Sequence, residues 1–284
     1  MASMQDIRRR IRSVRNTQQI TKAMKMVSAA KLRKAQASLL SARPYAEKMT
    51  EVLGRVASRT EPEAHPLLQH REVKTIGLVL VTANRGLAGG YNANLIRRAV
   101  RFVREHEDKE VRLICVGKKG RDYFRRRQTE IIGEYSGLGE EIKFGDARNV
   151  SRAIVQFYLN EYVDEVYIIY PRFINAMVQR QTVTRILPVE PAGVEEKQTT
   201  TYLYEPSPKA VLSELLPHYV NTVVYHALME AKASEHGARM AAMDQATENA
   251  EEMIKTLTLN LNRARQAAIT KEISEITGGA EALK

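Results

Sequence analysis

The stretch from residue 209 to residue 278 limits what this chain can fold into, because almost nothing in it ends a helix. Pro217 lies near its start, and Gly237 is its only glycine before Gly278. Ala, Met, Leu, Glu, Lys and Arg dominate, and all of them favour helix. Such a helix spans roughly 100 Å, which exceeds what a domain of this size can bury. No window is apolar enough to cross a membrane, so the stretch predicts a coiled coil.

The start of the chain offers the partner helix. Residues 3 to about 58 place small or apolar residues at gaps of mostly three and four, which is the seam spacing of a coiled coil. The simplest architecture pairs the terminal helices around an inserted middle. The expected seam residues are Ile7, Ile11, Val14, Thr21, Met24, Ser28, Ala35 and Ala42 in the first helix, and Leu216, Val220, Val223, Ala227, Ala233, Met240, Thr247, Ile254, Leu257, Leu261, Ala268 and Ile276 in the last.

The middle of the chain alternates short apolar runs with segments of helical period, which is typical of an α/β layer with a largely parallel sheet. Strands are predicted at 75–82, 111–117, 129–135, 165–173 and 182–189, and a helix is expected to begin with Asp146 as its cap. Pro44 is expected to kink the first helix. The predicted domains are an N-terminal helix over 1–58, a globular base over 59–206 and a C-terminal helix over 207–284.

The positive charge of the chain is concentrated at its start. The sequence carries 44 Lys and Arg against 33 Asp and Glu, a net charge of +11. A helix so basic is expected to meet an acidic partner, which is nucleic acid, an anionic membrane or an acidic protein surface. Within residues 1–43 the only acid is Asp6, against eleven basic residues: Arg8, Arg9, Arg10, Arg12, Arg15, Lys22, Lys25, Lys31, Arg33, Lys34 and Arg43.

An acidic protein surface fits this helix best. Residues 1–43 contain no Trp, Tyr or Phe, so the bases of a nucleic acid would find no aromatic side chain to stack on. The face opposite the charges carries Ala, Ser, Thr and Gln rather than the bulky apolar residues of a membrane-surface helix. A nucleic-acid-binding coiled coil, a merely solubilising charged face and an organellar transit segment remain as alternatives.

Motifs for catalysis, cofactors and metals are weak. The turn with Gly86, Gly89 and Gly90 lies where a doubly wound fold holds a phosphate, but its spacing matches neither dinucleotide nor P-loop motifs. Residues 117–120 (GKKG) are expected to form a solvated loop. The six histidines make no zinc motif, and the single cysteine, Cys115, excludes an intrachain disulfide. The acid pairs, Glu140-Glu141 among them, are expected on solvated faces. We therefore expect no catalytic residue, cofactor or metal, although a nucleotide-using α/β enzyme remains the third alternative.

Several motifs together resemble a known family. RRRIRSVRNTQQITKAMKMVSAAKLRKAQ (8–36) and ARQAAITKEISEITGGA (264–280) are similar to the terminal segments of the γ subunit of F-type ATP synthase. RGLAGGYN (85–92) and YLYEPSPKAVL (202–212) also resemble family segments in order and position. Asn84 and Ala88 stand where related chains often carry Asp and Cys. The resemblance covers essentially the whole chain.

The resemblance implies an α/β fold in which the terminal helices form a long antiparallel, left-handed coiled coil around an inserted Rossmann-like α/β domain. It implies a non-catalytic rotor shaft that couples proton or sodium flow through the membrane c-ring to ATP synthesis or hydrolysis at the β subunits. The implied partners are three α and three β subunits, the ε subunit and the c-ring, with no nucleic acid and no direct membrane insertion. The implied location is peripheral, on the cytoplasmic face of the bacterial plasma membrane.

The same resemblance implies particular contact residues. Lys22, Met24, Lys25 and Arg33 are expected to face acidic lever segments of β. Arg265, Gln266 and Thr270 are expected to contact β higher on the shaft, and the tip from Ile269 onward is expected in an apolar sleeve. Tyr202, Tyr204 and Glu205 are expected on the side of the c-ring and ε.

Overall fold

The computed structural model describes residues 4–57, 65–127, 129–190, 205 and 207–282. Long helices open and close the described chain, and a sheet with three helices lies between them in sequence, which confirms the predicted α/β class. The elements are α1 (Met4–Ala57), a short 3-10 turn (Pro66–Leu68), β1 (Thr75–Val81), α2 (Tyr91–Glu105), β2 (Glu110–Val116), α3 (Lys118–Arg125), β3 (Ile131–Tyr135), α4 (Phe144–Leu159), β4 (Glu165–Phe173), β5 (Gln179–Leu187) and α5 (Pro208–Ala282).

The chain divides into two compact units. One, here called the base unit, comprises residues 28–239. The other, here called the terminal unit, comprises residues 1–27 and 240–284. Both long helices therefore contribute to each unit, and each unit is described by itself.

The base unit is organised on a five-stranded sheet of order β3-β2-β1-β4-β5. The first four strands run parallel, and only the edge strand β5 is antiparallel to its neighbour β4. Helical crossovers cover both faces of such a sheet, so its central strands can be apolar throughout. Strand β1 follows this rule, because every residue from Ile76 to Val81 is buried. The prediction of a largely parallel sheet is confirmed.

The two faces of the sheet carry different helices. On one face, Leu95, Ala99 and Phe102 of α2 pack with Phe124 of α3 against alternate residues of β1. On the other face, α4 packs together with the beginning of α5. The buried residues of α5 in this core are Leu212, Leu216, Val220, Val224, Ala227, Leu228 and Ala231. The first six turns of α5 are thus part of the core of the base unit.

Three local predictions need correction or comment. Asp146 does not begin α4 but lies in its first turn, where its Oδ2 accepts a hydrogen bond from the backbone N–H of Lys143 at 3.0 Å. It caps the helix from the third position, as the acid of a capping box does. Residues 118–120 form the first turn of α3 rather than a solvated loop. Helix α1 continues through Pro44 to Ala57.

In the terminal unit, α1 and α5 run antiparallel. The hydroxyl of Thr247 donates to that of Thr21 at 2.8 Å, and Lys25 Nζ lies 2.5 Å from Asp244 Oδ1. As the residue number rises in α1, the number of its partner in α5 therefore falls. Ile7, Ile11 and Thr21 of α1 are buried, and so are Met243 and Ala250 of α5.

Ile276 does not belong to this seam, because its side chain is 72% exposed. Thr21 lies level with Thr247, and both helices rise equally per residue, so Met4 comes level with residue 264 or so. Beyond that level the described part of α1 offers no partner for α5. Ile276 therefore lies past the level of Met4, the first described residue of α1.

We predict that Gly117→Ala destabilises the full chain by roughly 2 kcal/mol or more. Gly117 has φ +97°, and a Cβ there would lie 2.1 Å from the backbone oxygen of Thr82. Urea unfolding followed by circular dichroism measures the change. The matched control is Gly145→Ala in α4, where a Cβ meets nothing within 4 Å. Equal stability of the two variants would contradict this account of Gly117.

Candidate interaction surfaces

The glycine-rich turn lies at the carboxyl edge of the sheet, where open α/β folds bind their ligands. Leu87 and Gly89 have φ of 60° and 55°, so the turn uses the left-handed conformation twice. Helix α5 lies against this turn, since the Arg239 guanidinium donates to the Gly86 carbonyl at 3.3 Å. The hydroxyl of Tyr91, at the start of α2, donates to the Ala231 carbonyl at 3.0 Å.

These contacts leave little room at the edge of the sheet. The cavity bounded by Thr82, Asn84, Gly117 and residues of α5 measures about 30 Å³. That is room for a water molecule and far below the few hundred Å³ of a ligand pocket. Burial by the same contacts raises the pKa of Tyr91 well above its ordinary value. The glycines thus allow a tight turn to fit beneath α5 rather than cradle a phosphate.

The residues of α1 that were expected to meet an acidic partner differ in their exposure and in whether they already form an ion pair. Lys22 and Arg33 are exposed, whereas Met24 and Lys25 are half-buried. Lys25 already pairs with Asp244, and both side chains remain a little under half exposed. In the terminal unit, Lys22 is therefore more available to a partner than Lys25 is. In the base unit, Arg33 is the exposed cation among these four residues.

The neighbours of Arg33 are engaged within the base unit. Lys31 Nζ lies 2.9 Å from Glu140 Oε2, and Lys34 Nζ lies 2.7 Å from Glu141 Oε2. These hydrogen bonds are the main reason why the pKa values of both glutamates lie below their ordinary value. Both glutamates are exposed, as expected of a solvated face, and each also forms an ion pair that the sequence analysis did not predict. Sequence alone gave no signal, because more than 100 residues separate the partners.

The last turns of α5 expose both polar and apolar side chains. Arg265, Gln266 and Thr270 are all exposed. Ile269, Ile273 and Ile276 are between 48% and 72% exposed, and their spacing of four and three places them on one face of the helix. On α1, Ile20, Met26 and Val27 of the terminal unit are also more than half exposed. Exposed apolar side chains that share one helix face form a candidate surface for a partner.

The remaining predicted site residues are only partly described. Tyr202 and Tyr204 lie outside the described residues, and Glu205 is exposed. Among the described residues, no group of three or more His, Cys, Asp or Glu side chains is placed to hold a metal ion. Nor does any described helix reach the length and hydropathy needed to cross a membrane. Cys115 is buried, and burial raises the pKa of its thiol to about 12.

Solved structures with this fold come from mitochondrial ATP synthases. A chain of the Euglena gracilis mitochondrial ATP synthase, in its OSCP/F1/c-ring assembly, matches with a TM-score of 0.68 over 99% of this chain and 94% of that one, at 20% identity. A chain of the Tetrahymena thermophila mitochondrial ATP synthase, from its central stalk and c-ring, matches with a TM-score of 0.62 at 25% identity, over 80% of this chain and 99% of that one. The fold is therefore that of a central-stalk chain.

Sequence comparison assigns the family. A family model described as ATP synthase matches residues 3–283. The ATP synthase gamma chains of Moorella thermoacetica and Pelotomaculum thermopropionicum are 57% and 53% identical to this chain, over the full length of each. The chain belongs to the ATP synthase gamma chain family. Membership confirms the predicted rotor shaft and does not favour the nucleic-acid-binding alternative.

We predict that the purified full chain binds ATP no more tightly than roughly 1 mM, because α5 fills the edge of the sheet where a nucleotide would sit. Isothermal titration with ATP and Mg²⁺ measures the affinity. Arg239→Ala is the informative variant, since it removes the contact with the Gly86 carbonyl. A micromolar site that this variant alters would mean that the turn does hold a phosphate.

Proposed function

We propose that this chain is the non-catalytic shaft of an ATP synthase, turning to couple proton or sodium flow through the c-ring to ATP synthesis and hydrolysis at the β subunits. The observation that carries the proposal is that a single helix, α5, takes part in both units. One uninterrupted helix supplies seven buried residues to the core of the base unit and then pairs with α1 in the terminal unit.

The base unit can pass torque to α5 because it holds the helix by packing rather than by a few surface contacts. Each large apolar side chain buried there contributes on the order of 2 kcal/mol. Ser151 of α4 is hydrogen-bonded to Asn221, and Ser234 donates to the Pro171 carbonyl at 3.0 Å. These polar contacts fix the rotation of α5 about its own axis relative to the sheet.

The terminal unit has the surface of a helix pair that is enclosed by partners. Arg8, Arg9, Arg10, Arg12 and Arg15 are all exposed on α1. They accompany the exposed apolar residues of α1 and α5 already described. We propose that a ring of three α and three β subunits surrounds this unit, and that the apolar end of α5 sits in a sleeve at the top of the ring.

Coupling then follows from symmetry. A single asymmetric shaft cannot contact three β subunits alike, so each takes a different conformation and nucleotide affinity. Turning the shaft by a third of a revolution permutes these conformations. Because coupling free energy is reciprocal, nucleotide binding on β also drives the shaft. The chain supplies the asymmetry and needs no catalytic group of its own.

Lys22, Met24, Lys25 and Arg33 are proposed to meet acidic lever segments of β. Long-range attraction suits a contact that moves from one subunit to the next, because it requires little geometric fit. Since Lys25 is shared with Asp244, Lys22 and Arg33 carry most of the free charge. Arg265, Gln266 and Thr270 are proposed to contact β near the end of α5.

Tyr202, Tyr204 and Glu205 are proposed to lie toward the c-ring and the ε subunit. The close relatives are bacterial gamma chains. We therefore propose that the complex is peripheral to the bacterial plasma membrane, on its cytoplasmic face.

Reversing the free charges tests the proposal. We predict that Lys22→Glu with Lys25→Glu and Arg33→Glu lowers ion-driven ATP synthesis about tenfold in membrane vesicles, because attraction to acidic levers becomes repulsion. The double variant Lys22→Glu with Arg33→Glu, which leaves the Lys25–Asp244 pair intact, should retain most of this loss. The control is Arg148→Glu with Arg152→Glu, two exposed cations of α4. Normal synthesis by the triple variant in an assembled complex would contradict the lever contact.

A further inference from the structure

The face of the base unit formed by α2 and α3 contains a groove of about 580 Å³, here called the α2–α3 groove. Its floor is apolar and includes Ile96 and Val100 of α2 and Tyr123 of α3, all half-buried. Its rim carries Arg97, Lys119, Arg126 and Arg127, all exposed. No residue of the groove has a part in the shaft contacts proposed above.

The charge of the rim is not balanced within the base unit. Nearby cations are neutralised: Arg101 pairs with Glu105 at 2.9 Å, and Arg125 pairs with Glu134 at 2.7 Å. None of the four rim cations forms an ion pair with a carboxylate in the part of the chain that the structure describes. The one acid lining the groove, Asp122, accepts a hydrogen bond from Arg121 at 2.7 Å and also attracts Lys119 and Arg126, so a single carboxylate is shared among three cations. The groove therefore keeps a net positive charge.

Two of the rim cations are held in position without being neutralised. Arg97 donates to the side-chain oxygen of Asn94 at 3.0 Å. The guanidinium of Arg127 lies 3.8 Å from the centre of the Tyr123 ring, which is a cation–π contact. Partly ordered cations lose less conformational entropy when they bind an anion. The rim is thus prepared for carboxylates or other anions.

We propose that the α2–α3 groove is the docking site for an acidic amphipathic helix of a partner polypeptide. Ile96 and Val100 are one turn apart on α2, so on the floor of the groove they have the spacing at which a partner helix carries its own apolar residues. Helix α2 has 15 residues and is long enough to lie along about four turns of a partner. Acidic residues flanking the apolar face of that helix would reach the rim cations on both sides.

The shape of the groove favours a helix over other acidic partners. A membrane-surface element exposes bulky apolar residues that protrude into lipid, whereas Ile96 and Val100 are half-buried in a concavity. Duplex nucleic acid would use the cations but would leave the apolar floor uncovered. An amphipathic helix satisfies the floor and the rim together.

The proposal is tested with a fluorescein-labelled peptide of 16 residues or so, with Leu at helical spacing on one face, Glu on its flanks and Ala elsewhere. Fluorescence anisotropy against the full chain is expected to show micromolar binding. Arg97→Glu with Arg126→Glu should weaken it at least tenfold, whereas the α4 control, Arg148→Glu with Arg152→Glu, should leave it unchanged. A scrambled peptide of equal composition should bind at least tenfold more weakly, because its apolar residues no longer share a face.

Three results would overturn the proposal. The scrambled peptide could bind equally well, which would reduce the site to unspecific charge attraction. The peptide could bind regardless of the rim substitutions, which would place it elsewhere. Phosphatidylglycerol vesicles or duplex DNA could bind in a rim-dependent manner while the peptide does not, which would assign the groove to those partners. Thermal unfolding of each variant verifies that the fold is kept, and none of these outcomes depends on the rotor function.

Discussion

The beginning of α5 is held by its packing against α4 and the sheet, in the core of the base unit. Leu212, Leu216, Val220 and Val224 recur every four residues and are all fully buried with α4 and the sheet. The crevice in which an α/β domain of this kind would hold a ligand is filled by the same helix, through Ala231 and Arg239. One packing arrangement thus supports the helix and removes a nucleotide site.

Much of the fold could be predicted because its signals are local. The apolar run of β1 and the helical period of α2 each indicate their element without knowledge of the rest of the chain. The end of the seam near residue 264 was less accessible to sequence reasoning. The spacing of Ile269, Ile273 and Ile276 is identical whether a helix or another protein covers that face. Only the antiparallel register of Thr21 with Thr247 shows how far the described part of α1 reaches along α5.

Electrostatic contacts were the least predictable from sequence. The excess of charge at the start of the chain indicated an acidic partner, but three lysines there have intramolecular partners: Lys25 with Asp244, Lys31 with Glu140 and Lys34 with Glu141. These pairs join positions more than 100 residues apart, so no local sequence pattern predicts them. The positive rim of the α2–α3 groove could not be predicted from the sequence either. Its cations are scattered among paired ones in the sequence, and only the structure shows which of them form no ion pair.

Observing whether this chain rotates within its complex is the most direct test of its function as a shaft. A cysteine introduced at exposed Arg148 would carry a gold nanorod, while buried Cys115 should not compete for the label. With the complex immobilised through its β subunits, the account predicts that the nanorod turns in one direction by thirds of a revolution while ATP is hydrolysed. Sustained ATP hydrolysis with a stationary nanorod would contradict the claim that this chain is the rotating shaft.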